Sequence, residues 1–288
     1  MDRAGHDAES PRVVEALRGL GLRAELAAWD DARVDWAAAR AHVIRSTWNY
    51  SEQPAAFLAW TARVAAVSAL WNPAPVVRGN LHKGYLVGLA ARGLPTLETE
   101  VVARAAPRRL ADVAGARGWR DVVVKPAVGA GGRGALRTQA NAGPGEAHLA
   151  ALLAAGDALV QPYVDAIERE GERSLVYFGG ALRHATRKLP RTGEFRVQEH
   201  LGGATRPWTA TDAERALADA ALATVDAPLL YARVDLVPVD GAPHVSELEL
   251  IEPSLYLEHL PGGYAAFARA IAERLETGLP ETGTVSNR

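Results

Sequence analysis

The chain holds only three lysines, Lys83, Lys125 and Lys188, among 32 basic residues. Where lysine survives in so arginine-rich a sequence, its particular shape is informative. An ammonium is a compact charge that seats among phosphate oxygens, whereas the planar guanidinium needs a wider, forked site. A second group is acidic. Arg233-Val-Asp235 and Glu247-Leu-Glu249 each space charged residues two apart, and on a strand such residues point to one face. If the two segments are neighbouring strands, Asp235, Glu247 and Glu249 converge, and three carboxylates on one face repel unless something cationic sits between them. Magnesium held by carboxylates and substrate phosphates is the usual solution in phosphoryl chemistry. Arg233, on Asp235's side of its strand, would then stabilise charge on the transferring phosphate. The plain alternative is a solvated face of an edge hairpin. Glu252, just beyond the strand, is a weaker ligand.

The run Gly129-Ala-Gly-Gly-Arg-Gly134 follows Val-Val-Lys125-Pro126. Its spacing matches a dinucleotide fingerprint, but that motif opens a helix and leads to an acidic residue about twenty positions on. Here a strand leaves the loop, which reads as a hairpin with a long glycine tip. The backbone N–H groups of such a tip can close over a triphosphate, since glycine lets the backbone approach the anion. Plain hairpins carry glycine tips too. Val160-Gln161-Pro-Tyr163-Val164 ends a strand with a proline-stiffened turn suited to holding adenine. Glu168 and Glu172 are candidates for ribose hydroxyls, although acids in a charged loop are usually only solvated. The segment from Arg187-Lys188 to Arg196, with Gly202-Gly203, gathers cations beside glycines, an arrangement that suits anionic substrate groups or plain surface charge.

These residues need elements to position them. Pro11 to Gly21 has helical spacing, and Ala41 to Ile44 reads as a short buried strand leading into Arg45-Ser-Thr-Trp-Asn-Tyr50, so the first part is α/β. Ala55 to Leu70 reads as a helix, Trp71 to Pro75 as a loop, and Lys83 to Arg92 as a short helix stopped by Gly93 and Pro95. Strands are expected at Val122–Lys125, Ala135–Thr138, Ala158–Gln161, Arg173–Phe178, Ala181–Arg187, Leu230–Val237 and Pro243–Leu250. Helices are expected over Gly145–Ala155, Ala213–Thr224 and Tyr264–Glu276.

Composition narrows the function. The 288 residues are 48% hydrophobic and 23% charged with no cysteine, an ordinary globular balance that excludes thiolate catalysis and cysteine-held metal. Met1 to Ser10 is polar, and the longest uncharged stretch, Val64 to Val77, is too short to span a bilayer, so a cytoplasmic protein without membrane partners is expected. A formal net charge of −2 gives no attraction to nucleic acid, and Arg104, Arg108, Arg109, Arg117 and Arg120 read as a solvated helix face.

The order of features from 83 to 253 resembles the ATP-grasp superfamily, in the branch of prokaryotic glutathione synthetase and D-alanine-D-alanine ligase. The resemblance implies ATP and Mg2+. Lys83 and Lys125 become phosphate lysines, and the loop carrying Gly131, Gly132 and Arg133 closes over ATP. Gln161, Tyr163 and Val164 form the adenine hinge, Glu172 is the ribose acid, and Asp235, Glu247 and Glu249 hold the metal. Arg233, Arg196 and Lys188 serve catalysis. Those ligases commonly carry Asn where Glu249 stands, so this site has an extra negative charge. Arg45 to Tyr50, Asn72-Pro73, the Gly-Glu-Phe-Arg-Val-Gln198 run and Glu247 to Pro253 look most like the O-ureidoserine cyclo-ligases of D-cycloserine biosynthesis. This implies a small amino-acid-like substrate met by Arg45, Ser46, Thr47, Trp48, Asn49 and Gly203, with a homodimer admissible.

The implied fold is an N-terminal α/β substrate domain (1–95), an ATP lid (96–165) and a C-terminal antiparallel-sheet domain (166–288). The N-terminal part starts almost at its helix, so a first edge strand is expected to be missing. An intermolecular amine ligase, a magnesium phosphohydrolase and an ATP-binding regulatory module are the rival readings.

Overall fold

A computed structural model describes residues 7–277. Near the N-terminus lie helix α1 (Glu9–Gly19), strand β1 (Ala41–Val43), helix α2 (Pro54–Val67), strand β2 (Ala69–Trp71) and the short helices α3 (Ala74–Asn80) and α4 (Tyr85–Ala91). The stretch expected as one helix and a loop is divided differently. Ser68 turns to extended backbone, ending α2, and buried Leu70 and Trp71 pair in parallel with β1. Pro73 caps α3 in extended backbone, and Pro75 lies in the first turn, where the fixed φ of proline suits a helix start. The apolar run therefore divides between two elements, which periodicity cannot show. A strand preceding α1 would fall on residues 1–6, outside the described residues.

The next layer joins β3 (Glu100–Val102), β4 (Asp121–Pro126), β5 (Leu136–Gln139) and β6 (Ala158–Pro162) in the antiparallel order β3-β6-β4-β5. Val122 and Val124 of β4 face helices α5 (Leu110–Gly115) and α6 (Gly143–Ala155) in one apolar cluster, so alternation turns Lys125 to the other face. After α7 (Ala166–Glu170) comes the largest sheet. It consists of β7 (Glu172–Phe178), β8 (Ala181–Leu189), β9 (Ala204–Trp208), β10 (Tyr231–Val239) and β11 (Ala242–Glu249), ordered β11-β10-β7-β8-β9 and antiparallel throughout.

Val234, Leu236, Leu248 and Leu175 pack under α8 (Asp212–Leu222), together with Leu86 and Leu89 of α4. The alternate residues face the other way. There Phe178 and Tyr231 meet α9 (Gly263–Thr277) and α1, and the remaining positions carry the charged groups. No described helix is long and apolar enough to cross a membrane.

Candidate active site

Register assembles the charges. Asp235 pairs with Glu247 and Arg233 with Glu249 across β10 and β11, and Glu172 pairs with Lys188 across β7 and β8. A β-bulge interrupts the first pairing between Asp235 and Leu236, the kind of irregularity that re-aims side chains beside a site. Asp235, Glu247 and Glu249 each offer an oxygen, all within 4.8 Å of one another.

Cations do sit between these acids, and they are the chain's own. Lys83 Nζ lies 2.8 Å and Lys125 Nζ 3.6 Å from Glu247, Lys188 reaches Glu172 and Asp235, and Arg233 lies 2.9 Å from both Asp235 and Glu249. All three lysines of the sequence thus converge on one acidic face from three different parts of the chain.

Burial and close neighbours shift these groups in different directions. Burial opposes ionisation of Asp235, but Arg233 and Lys188 hold it down at about 2. Burial likewise opposes ionisation of Glu247, and Lys83 with Lys125 holds it well below the carboxylate range. Burial pushes Glu249 up to about 8, with Glu247 and Asp235 adding to the shift despite Arg233. Burial also raises Glu252 to about 7 and, together with Lys83, lowers Lys125. Neighbours that drive carboxylates in opposite directions are typical of functional clusters. The donor set of Asp235, Glu247 and Glu249 is all oxygen, which fits a hard divalent cation such as magnesium.

The other expected residues have more varied surroundings. Gly131, Gly132 and Gly134 all have positive φ, so the loop's shape depends on glycine there. A Cβ on Gly132 would lie 2.9 Å from Gln198 Oε1 and 3.4 Å from Arg196 Cδ. Arg133, expected over ATP, donates to the Trp48 carbonyl and to Ser51 Oγ, and lies 3.4 Å from Glu52. It joins the glycine loop to the N-terminal part. Arg196 is held bidentately by Glu194, whose carboxyl its hydrogen bonds pull down to about 2.

At the hinge, Gln161 Nε2 donates to Thr99 Oγ1, the Tyr163 amide donates to the Asp121 carbonyl, and the Val164 carbonyl accepts from the Ile167 amide. Arg137 lies 3.5 Å from the centre of the Tyr163 ring. Gly203 sits where a Cβ would be 2.2 Å from the Val197 carbonyl oxygen, so its glycine closes that loop.

Arg45, expected to meet substrate, is held within the chain. Its guanidinium donates to Glu9 and to the Pro253 carbonyl, both at 2.6 Å, beside the Tyr231 and Phe267 rings. Its guanidinium is thus paired with a carboxylate of the chain itself. Ser46 and Thr47 are buried, Asn49 accepts from Trp29 Nε1, and half-buried Trp48 opens a 3-10 turn. The sequence reading missed three tyrosines near the cluster. Burial and neighbouring acids raise Tyr50 and Tyr256, and the Tyr85 hydroxyl accepts from the Leu248 amide. Aromatic residues adjoining the charged motifs were the only signal available for them.

Two family models match the chain: the N-terminal domain of D-cycloserine synthetase DcsG over residues 1–72, and the ATP-grasp domain of prokaryotic glutathione synthetase over residues 89–245. Cycloserine biosynthesis protein DcsG of Streptomyces lavendulae is 41% identical over 285 residues, covering 94% of this chain and 95% of that one. A crystal structure of D-cycloserine synthetase DcsG superposes with a TM-score of 0.83 at 40% identity, over 92% of this chain and 94% of that chain. The ATP-grasp ligase PsnB, in complex with its minimal precursor, Mg and ADP, shares the fold alone: TM-score 0.60, 16% identity, over 94% of this chain and 95% of that chain. The chain therefore belongs to the ATP-grasp ligases, enzymes that use ATP to form carbon–nitrogen bonds, in the same family as DcsG.

Proposed function

We propose that the enzyme activates the carboxylate of O-ureidoserine as an acylphosphate and closes it on an internal nitrogen to give cycloserine. The convergence of all three lysines on the acidic face carries the ATP-dependent part of this reading. Without nucleotide, acids and lysines neutralise one another. On binding, the triphosphate takes over the lysines, and Asp235, Glu247 and Glu249 are freed to hold magnesium. Bound there, magnesium supplies positive charge against the phosphate oxygens.

The chain's own groups do the rest. Lys83, Lys125 and Lys188 hold the phosphates in line, and Arg233 faces the negative charge that develops during transfer. The γ-phosphoryl group passes to a substrate carboxylate oxygen and ADP leaves. The nitrogen bonded to the side-chain oxygen then attacks the acyl carbon, losing its proton as phosphate departs and the ring closes, a step favoured by holding both ends of one molecule in place. Hydrolysis of the carbamoyl group still on that nitrogen takes up one water, releases carbon dioxide and ammonia, and leaves cycloserine. In this reading residues 1–95 and the 187–203 segment bind substrate, 96–165 form the lid, and 166–288 carry the acids. The similarity to DcsG supports the substrate, since it covers nearly the whole chain, N-terminal part included.

O-ureidoserine alone, with ATP and magnesium, is expected to release ADP and yield a cyclic product by mass spectrometry. ADP release only when a second amino acid is supplied, with a linear product, would replace cyclisation by intermolecular ligation.

A further inference from the structure

Strand β11 carries two of the three acids and lies at the edge of its sheet. An edge strand presents a row of unpaired N–H and C=O groups on its outer side, and here that row is met piece by piece. The Val245 amide donates to the Pro95 carbonyl, and its carbonyl accepts from the Leu97 amide, both at 2.9 Å. Further along, Asn80 Nδ2 donates to the Leu248 carbonyl at 2.6 Å, Asn80 Oδ1 accepts from the Leu250 amide at 3.0 Å, and the Tyr85 hydroxyl accepts from the Leu248 amide at 3.0 Å. Asn72 Nδ2 donates to the Leu250 carbonyl at 2.8 Å.

One side-chain amide thus spans both flanks of Glu249 as another strand would, while β10 holds the opposite edge through the Arg233–Glu249 pairing. Leu248 and Leu250 are buried, so water is a poor substitute for these partners. The same short segment carries Lys83, whose amide donates to the Ala127 carbonyl at 2.8 Å just beyond β4.

We propose that Asn80, assisted by Tyr85, is a positioning residue for the cation site. By pinning the backbone on either side of Glu249, it fixes that carboxylate relative to Glu247 and Asp235, and it does so from the segment that delivers Lys83. The inference rests on the acidic face holding a cation, and the experiment separates the two ideas.

Mn2+ affinity in the presence of ADP is measured by electron paramagnetic resonance for wild type, Asn80→Ala, Asn80→Asp and Tyr85→Phe, alongside backbone amide exchange and metal-free ADP affinity. In Asn80→Ala, Mn2+ affinity is expected to fall about tenfold, the lower end of what losing an outer support costs a metal site. Exchange should accelerate at Leu250, and metal-free ADP affinity should stay at the wild-type value. Asn80→Asp keeps the acceptor for the Leu250 amide and loses the donor to Leu248. Tyr85→Phe removes only the acceptor for the Leu248 amide. Both should weaken Mn2+ binding less than Asn80→Ala, and they carry the test if that variant does not fold.

Wild-type Mn2+ affinity in the folded variants, with or without faster exchange, would show Asn80 to be structural only and overturn the proposal. Equal weakening of metal-free ADP binding would overturn it as well. A wild-type protein that binds no Mn2+ with ADP would remove the cation reading itself, and the positioning role with it.

Discussion

Arg45 meets Glu9 at 2.6 Å, Arg233 meets Glu249 at 2.9 Å, and both guanidiniums are almost wholly buried. The surroundings differ. Glu9 also accepts from the Leu255 and Leu257 amides, and Arg45 also donates to the Pro253 carbonyl, so that cluster balances one acid against one base and closes with backbone groups. Arg233 is shared between Asp235 and Glu249, Lys83 and Lys125 both lean on Glu247, and the three acids lie within 4.8 Å of one another. Like charges side by side weaken a fold, whereas a balanced pair with satisfied hydrogen bonds need not. The first arrangement is nearly closed within the chain: both terminal guanidinium nitrogens of Arg45 are paired, and only its Nε lacks a hydrogen-bond partner. The second is shared among several acids and bases, and under the proposed function an anion takes its lysines and a cation takes its acids.

The largest expected effect breaks the second cluster. Lys125→Met should lower kcat/KM about 10³-fold, the scale for losing a positioned charge at a transition state, while leaving stability unchanged or raised. Burial and Lys83 already disfavour the Lys125 ammonium. Lys125→Arg should fail to restore ATP binding, because the guanidinium is planar and larger. Wild-type ATP affinity in the arginine variant, read by calorimetry, would leave Lys125 only as a partner of Glu247 and not as a phosphate contact.

Next in size is the first cluster. Arg45→Met leaves Glu9 buried without its cation and should cost about 3 kcal/mol of stability in denaturant titration, the low end for breaking a buried pair. Pairing it with Glu9→Gln should recover part of the loss. Turnover by the folded fraction should persist. Lost turnover at wild-type stability would place Arg45 in the substrate pocket after all.

That contrast shows what the sequence could reveal. Asp235, Glu247 and Glu249 were legible because strand alternation is a local rule, and two-residue spacing suffices to put side chains on one face. The lysines were legible through rarity. Glu9 as partner of Arg45 was not, since the contact crosses 36 positions and depends on how α1 docks against the sheet. Arg133 shows the same limit: the glycine motif predicts a loop, but not that its arginine reaches Ser51, 82 positions away. Asn80 and Tyr85 carried no signal, because a side chain serving a distant backbone edge follows no spacing.

The smallest effect is the most discriminating. Three acids on one face imply that removing Glu247 relieves repulsion, yet Glu247 is also the anion between Lys83 and Lys125. Glu247→Gln keeps the volume and leaves two ammoniums facing each other across a neutral amide. The nucleotide-free variant should therefore lose stability, by about 1 kcal/mol because the pair is only partly buried. ATP without magnesium should reverse the order. In the wild type its phosphates must displace Glu247 from the lysines and lie beside three carboxylates, whereas in the variant they fill a vacated anion position. Because a ligand at free concentration L stabilises by RT ln(1 + L/Kd), so that tighter binding protects more at one concentration, metal-free ATP should raise the melting temperature of Glu247→Gln more than that of the wild type, even though magnesium-dependent turnover is lost. Equal protection of both proteins, with equal stability beforehand, would mean that Glu247 does not hold the lysines in place of a phosphate, and the distinction between the closed cluster and the ligand-awaiting one would fail.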